Sequence, residues 1–148
     1  VGDIVSTIKV DTYLTRGGVS EIAIDKLKGA SSAGSMTVVG EGGSTTTNLQ
    51  QGLAKCWVNF NGTSTIATRD SFNTASLTDG GTGNYDVNWT NSFANTNYCH
   101  SGADGNFGMC NTEPQNLSTG EANVFSYNAS HAPTDISGIA TVAHGDLA

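Results

Sequence analysis

The side chains best able to do chemistry in this 148-residue chain are three cysteines, three histidines and thirteen carboxylates. Their spacing offers little to catalysis. Asp79-Gly-Gly-Thr-Gly-Asn-Tyr-Asp86 approaches a glycine-rich calcium repeat, in which carboxylate and backbone oxygens surround a hard cation. Asp86 falls one residue late, and no second copy stacks beside it to complete an ion's shell, so a hairpin loop is the expectation. Cys99, His100, Cys110, His131 and His144 are zinc-type donors at spacings that match no standard ligand set. Adjacent strand residues such as Cys99 and His100 also leave on opposite faces. Gly29-Ala-Ser-Ser-Ala-Gly34 lacks the spacing of a nucleophile elbow. His131 and His144 have Asp135 and Asp146 nearby but no placed nucleophile to activate. Asp104, Glu113 and Glu121 contain the two carboxylates a glycosidase needs, as any acidic chain does. No phosphate loop or dinucleotide fingerprint occurs. No catalytic site, cofactor or metal ion is expected.

Recognition is the better-supported chemistry. Residues 90–96 and 102–112 read as loops carrying Asn91, Asn95, Asn97, Asp104, Asn106, Phe107 and Asn111. Amide, carboxylate and aromatic groups on loops can hydrogen-bond and stack against sugars, and loops on a rigid scaffold are where binding residues collect. The candidate ligand loop is Asn95, Asp104, Asn106, Phe107 and Asn111. Solvated polar loops remain the simpler reading of the same residues.

The scaffold for such loops follows from composition. Gly, Ser, Thr and Asn make up close to half the chain, charged residues are 13% and hydrophobic residues 36%. No apolar run approaches the roughly 20 residues that span a bilayer, so no membrane insertion is expected. Residues 1–10 show no basic start and apolar core, so no secretory leader is expected either. All six basic residues fall at or before Arg69, where five acids accompany them; eight acids and no Lys or Arg follow. That acidic part repels phosphate, which argues against nucleic acid and against anionic lipid. Cys56, Cys99 and Cys110 read as buried free thiols of a reducing compartment, with a Cys99–Cys110 disulfide as the alternative. Four Asn-x-Ser/Thr sites (Asn61, Asn88, Asn116, Asn128) are expected by chance in this composition.

Two parts emerge along the chain. Residues 1–53 read as an extended arm, with strands at 3–15 and 21–24, a third at 36–39, and a linker-like Gly/Ser/Thr stretch at 40–47. Ile4, Ile8, Val10, Ile22 and Ile24 are its candidate anchor residues, because strands so short and separate cannot bury a core alone and must pair with another chain. Fully stretched, such an arm reaches roughly 170 Å at about 3.3 Å per residue. One helical turn is expected around 48–53. Residues 54–148 alternate more tightly. Cys56, Val58 and Phe60 share one face, and Tyr85, Val87 and Trp89 point inward with Asp86 and Asn88 outward. Further strands are expected at 65–68 after the Asn61-Gly62 turn, and at 75–78, 96–100, 124–128 and 138–144. The fold class is all-β: an antiparallel sandwich or barrel-like domain behind an N-terminal arm.

In the central block, Ala54-Lys-Cys-Trp-Val-Asn-Phe-Asn-Gly-Thr63, Thr68-Arg-Asp-Ser-Phe-Asn73, the run from Ser76 to Trp89 and Ala94-Asn-Thr-Asn-Tyr98 are the specific part of a resemblance. Together they resemble a β-rich domain of tailed-phage virion surface proteins, found in tail fibres and capsid knob or decoration proteins, notably of marine and cyanobacterial phages. The ending from Thr134 to Gly145 looks like the closing strand of that domain, and Ser6-Thr-Ile-Lys-Val-Asp-Thr12 like the start of appendages mounted by their N-terminus. The resemblance implies a non-enzymatic virion component, homotrimeric, held by other capsid or tail proteins and displayed on the virion surface after synthesis in the host cytoplasm. The chain has no internal repeat, unlike the shaft of a long fibre, so a short capsid knob or decoration protein is expected. The alternative is a tail-fibre adhesin gripping a host surface glycan.

Overall fold

The computed structural model describes residues 26, 27, 29, 32, 35–105, 110–112 and 117–148, the segment 110–112 by its backbone alone. The expected strands at 3–15 and 21–24 lie outside the described residues. So do Ile4, Ile8, Val10, Ile22 and Ile24 of the anchor set, Asn106 and Phe107 of the ligand loop, and the side chain of Asn111.

In chain order the elements are β1 (Thr37–Val39), β2 (Thr46–Asn48), α1 (Leu49–Gly52), β3 (Cys56–Asn61), β4 (Ala67–Phe72) and β5 (Thr74–Gly81). They continue with β6 (Asn84–Trp89), β7 (Cys99–Asp104), β8 (Cys110–Thr112), β9 (Glu121–Ser126) and β10 (Ile139–His144). Two four-stranded antiparallel sheets form a sandwich, with strand orders β4-β3-β10-β7 and β5-β6-β9-β8. The all-β expectation holds, and its cause is legible in four strands. Cys56, Val58 and Phe60 on β3 and Ile139, Thr141 and Ala143 on β10 point inward from the first sheet. Tyr85, Val87 and Trp89 on β6 and Ala122, Val124 and Ser126 on β9 meet them from the second. Period-two patterning of this kind buries one face of each sheet, and each large apolar side chain so buried contributes about 1.5–3 kcal/mol. The edge of the Phe60 ring meets Tyr85 at 5.3 Å between centroids. Ser126 is buried at no cost in unmet hydrogen bonding, because its Oγ donates to the Thr134 carbonyl at 2.6 Å.

The connections carry the departures from expectation. Residues 79–84, expected as a loop, are mostly strand: register runs to Gly81 opposite Asn84 and leaves only Thr82 and Gly83 to turn. Gly83 sits at φ +65°, and a Cβ there would lie 2.5 Å from the Ser126 carbonyl oxygen, so no side chain fits. The chain passes from the first sheet to the second through one residue, Asn73, at φ +56°. Its amide donates to the Lys55 and Asn91 carbonyls at 3.0 and 3.1 Å, and its Oδ1 accepts from Asn91 N at 2.8 Å. Asn tolerates the left-handed region, and here its side chain replaces the ladder bonds that the corner interrupts.

The linker-like stretch at 40–47 closes a hairpin instead: Gly40 N donates to Thr45 O at 2.7 Å, and β1 pairs with β2. The Asn61-Gly62 turn is longer than a two-residue hairpin, because Asn61 caps Thr63 locally and β4 starts only at Ala67. Segment 102–112 is not one loop, since β7 runs to Asp104 and β8 occupies Cys110–Thr112. Segment 90–98 is a plug. Phe93 and Tyr98 are buried against Trp89, with centroids 4.5 to 5.0 Å apart. A Cβ at Gly145 would lie 2.7 Å from Tyr98 Cβ and 2.9 Å from the Phe93 ring. The expected helical turn is present as α1, capped by Asn48, whose Oδ1 accepts from Gln51 N at 3.1 Å.

Candidate functional site

The ligand-loop residues that can be placed do not converge. Asn95 is exposed beside the plug, where its Oδ1 accepts from Asn97 N at 2.8 Å and simply closes a turn. Its neighbour Ala94 donates to Asp146 O, which fixes that segment at the His144 end of β10. Asp104 is opposite Ile139, at the other end of the same strand. About five residues of strand, on the order of 17 Å, separate the two ends.

The His–carboxylate pairings suggested by sequence proximity are likewise replaced by other partners. Asp135 accepts from Gly83 N at 2.7 Å and from the Tyr85 hydroxyl at 3.1 Å, so it staples a turn to the core. Burial, with the Asp135 charge adding to it, pushes the Tyr85 phenol up to about 12. Asp146 accepts both its side-chain bonds from Gln51 Nε2, at 3.0 and 3.1 Å. Asp79 accepts from Gly81 N at 2.9 Å within its own hairpin. Among the described residues, no three His, Cys, Asp or Glu side chains gather as a metal site. Of the thiols, Cys56 is buried, which pushes it up against partial relief from the Thr74 hydroxyl and the Trp89 indole. Cys99, by contrast, is exposed on the outer face of the first sheet rather than buried. His100 faces between the sheets, where burial lowers it to about 4.

Two surfaces stand out. The first is the junction of α1 with the sandwich, an opening of about 690 Å³ between Gln50, Gln51, Lys55, Ala94 and Asp146. Gln51 bridges it to Asp146, and Lys55 Nζ donates to the Gln50 carbonyl. Beyond this junction the β1–β2 hairpin belongs to neither sheet and leaves Val38 and Val39 exposed, Val39 at 57%.

The second is the outer face of the first sheet. Strand register places Phe72, Trp57, Val142 and Ser101 in one row across β4-β3-β10-β7, and Asp70, Asn59, Ala140 and Ala103 in the next. Small side chains on β10 and β7 leave a groove of about 520 Å³ walled by Trp57. Trp57 is half-buried and Phe72 is 52% exposed. A bulge helps shape this face: Asn59 faces Asp70 while Phe60 faces Thr68, so Arg69 is the extra residue. Its guanidinium donates to Asn59 Oδ1 at 3.2 Å, to Phe60 O at 2.9 Å and to the Ser137 carbonyl. Asn59 is thereby held by its oxygen, and its Nδ2 has no protein acceptor among the described residues.

Sequence reasoning assigned Cys56, Val58 and Phe60 to the interior without drawing the complement, that Trp57 must then point outward. An aromatic ring on the hydrated parity of a strand was the available signal. No family model, curated protein or solved structure matches the chain.

Proposed function

We propose that this chain is a non-enzymatic structural component of a tailed-phage virion, a short surface appendage that docks through its N-terminal side and holds the sandwich outward. The observation that carries the reading is the polarity of the molecule. The β1–β2 hairpin stands outside both sheets with Val38 and Val39 exposed, while α1 is tied to the sandwich through Gln51 and Asp146. Exposed β-branched residues on a short hairpin suit burial against other virion proteins or against two further copies in a homotrimer. The acidic second part of the chain suits an outward position, away from packaged nucleic acid. The resemblance of the central block to phage surface domains agrees with this arrangement.

The test is immunogold electron microscopy of virions of the phage that encodes the chain, with antibody raised against residues 54–148. Label on the head assigns a knob or decoration protein, and label on the tail assigns a fibre component. Unlabelled particles contradict the proposal.

A further inference from the structure

We infer that the outer face of the first sheet is a saccharide-binding surface, on which the half-buried Trp57 ring stacks against the C–H face of a neutral pyranose. The inference goes beyond the virion reading and stands without it. It starts from what the two rows present. Trp57 and Phe72 are cross-strand neighbours on the outward side, and neither ring meets another aromatic ring among the described residues. Beside them Val142, Ala140 and Ala103 line the floor of the groove that Trp57 walls. One register step along the strands, about 7 Å away, the hydrogen-bonding groups begin. Asn59 supplies an amide N–H pair and Asp70 a carboxylate, while Ser101 adds a hydroxyl at the β7 end of the Trp57 row.

That combination selects among ligands. A sugar ring has an apolar face matched to an indole and equatorial hydroxyls that exchange donor and acceptor roles with amide, carboxylate and hydroxyl groups. A nucleic acid is disfavoured by the eight acids that follow Arg69 with no further Lys or Arg. An anionic glycan is disfavoured for the same reason, because Arg69, the one cation on this face among the described residues, is already bonded to Asn59, Phe60 and Ser137. The occupant is therefore neutral. The groove is open along the strands, so it suits an internal stretch of a chain as well as its end.

The experiment is calorimetric titration of the full chain with three neutral probes, maltohexaose, cellohexaose and hexa-N-acetylchitohexaose. At least one should bind with a Kd on the order of 1 mM, the range of a shallow single-stack site. Trp57→Ala should weaken that binding more than about tenfold, while Trp57→Phe, which preserves a ring and guards against misfolding, should weaken it by about threefold. Asn59→Ala should also weaken it, and Asn88→Ala on the opposite face should leave it unchanged. Absence of binding by all three probes at about 10 mM overturns the inference. So does equal weakening by Asn88→Ala. Self-association of the chain that Trp57→Ala abolishes and no sugar competes would instead assign the face to a second copy.

Discussion

On the outer face of the second sheet, Asn123 Nδ2 donates to Asn84 at 2.8 Å and to Asp86 at 2.7 Å, Asn88 Nδ2 donates to Thr78 Oγ1 at 3.1 Å, and Phe125 stacks on Tyr127. On the outer face of the first sheet, among the described residues, Trp57 and Phe72 stack on no other aromatic ring, Ala140 and Ala103 lie low, and the Asn59 amide N–H groups bond to no protein atom. Both faces arise from the same alternation of strand residues, and both are outward. The difference shows how a hydrated face divides between structure and recognition. Where outward side chains satisfy one another across strands they stabilise the sheet, and a ligand has little to gain there. Where they are left unmatched they contribute little to the fold and remain for a partner.

That division makes ordered predictions. Both faces rest on one core, so the largest effect comes from removing its centre. Tyr85→Ala deletes a fully buried ring together with its bonds to Gly62 and Asp135, and should cost about 3–5 kcal/mol in denaturant unfolding, disabling both faces together.

Acid should act next. The unfolded chain protonates His100 near its ordinary value of 6.5, whereas the folded chain resists until about 4. Between those values the unfolded state binds more protons, so stability falls as pH is lowered through the window and levels off below it. The loss should be about 2 kcal/mol at most, since the imidazole keeps some contact with solvent. His100→Gln should flatten that part of the curve of Tm against pH. A variant with the same slope as the parent would remove His100 from the account.

The faces themselves separate at smaller magnitudes. Asn123→Ala should cost about 1 kcal/mol, because Asn84 and Asp86 lose a shared donor. Phe72→Ser, at a half-exposed position, should cost less than about 0.5 kcal/mol. Paired melts read the difference directly, and the reverse order would erase the distinction between a structural and an available face.

Much of this architecture is legible in the amino acids, and the reason differs from place to place. β3 and β6 are readable because their inward residues are apolar and their outward residues mostly polar, so period two shows through. β8 and the β1–β2 hairpin span three residues per strand, too few for a period to appear. The sheet switch at Asn73 is invisible locally: the expected strands at 65–68 and 75–78 leave residues 69–74 unassigned, and only the Lys55 and Asn91 carbonyls, distant in sequence, hold the corner. Phe93 sits among asparagines and serines whose polarity reads as loop, and Tyr98 in the strand expected at 96–100, which begins only at Cys99; both rings instead close the end of the core. The first sheet's outer face was hidden in another way. It draws Trp57, Phe72, Asn59 and Ser101 from strands far apart in the chain, and only register brings them into two rows.

The chain contains two tryptophans, one on the outer face and one in the core, which makes the central claim directly observable. In a nitrogen–proton correlation spectrum of the labelled full chain, each indole N–H gives its own signal. With the hexasaccharide probes added, the Trp57 signal should move progressively and saturate while the Trp89 signal stays in place. A stationary Trp57 signal, or equal movement of both, would contradict the assignment of that face to ligand binding.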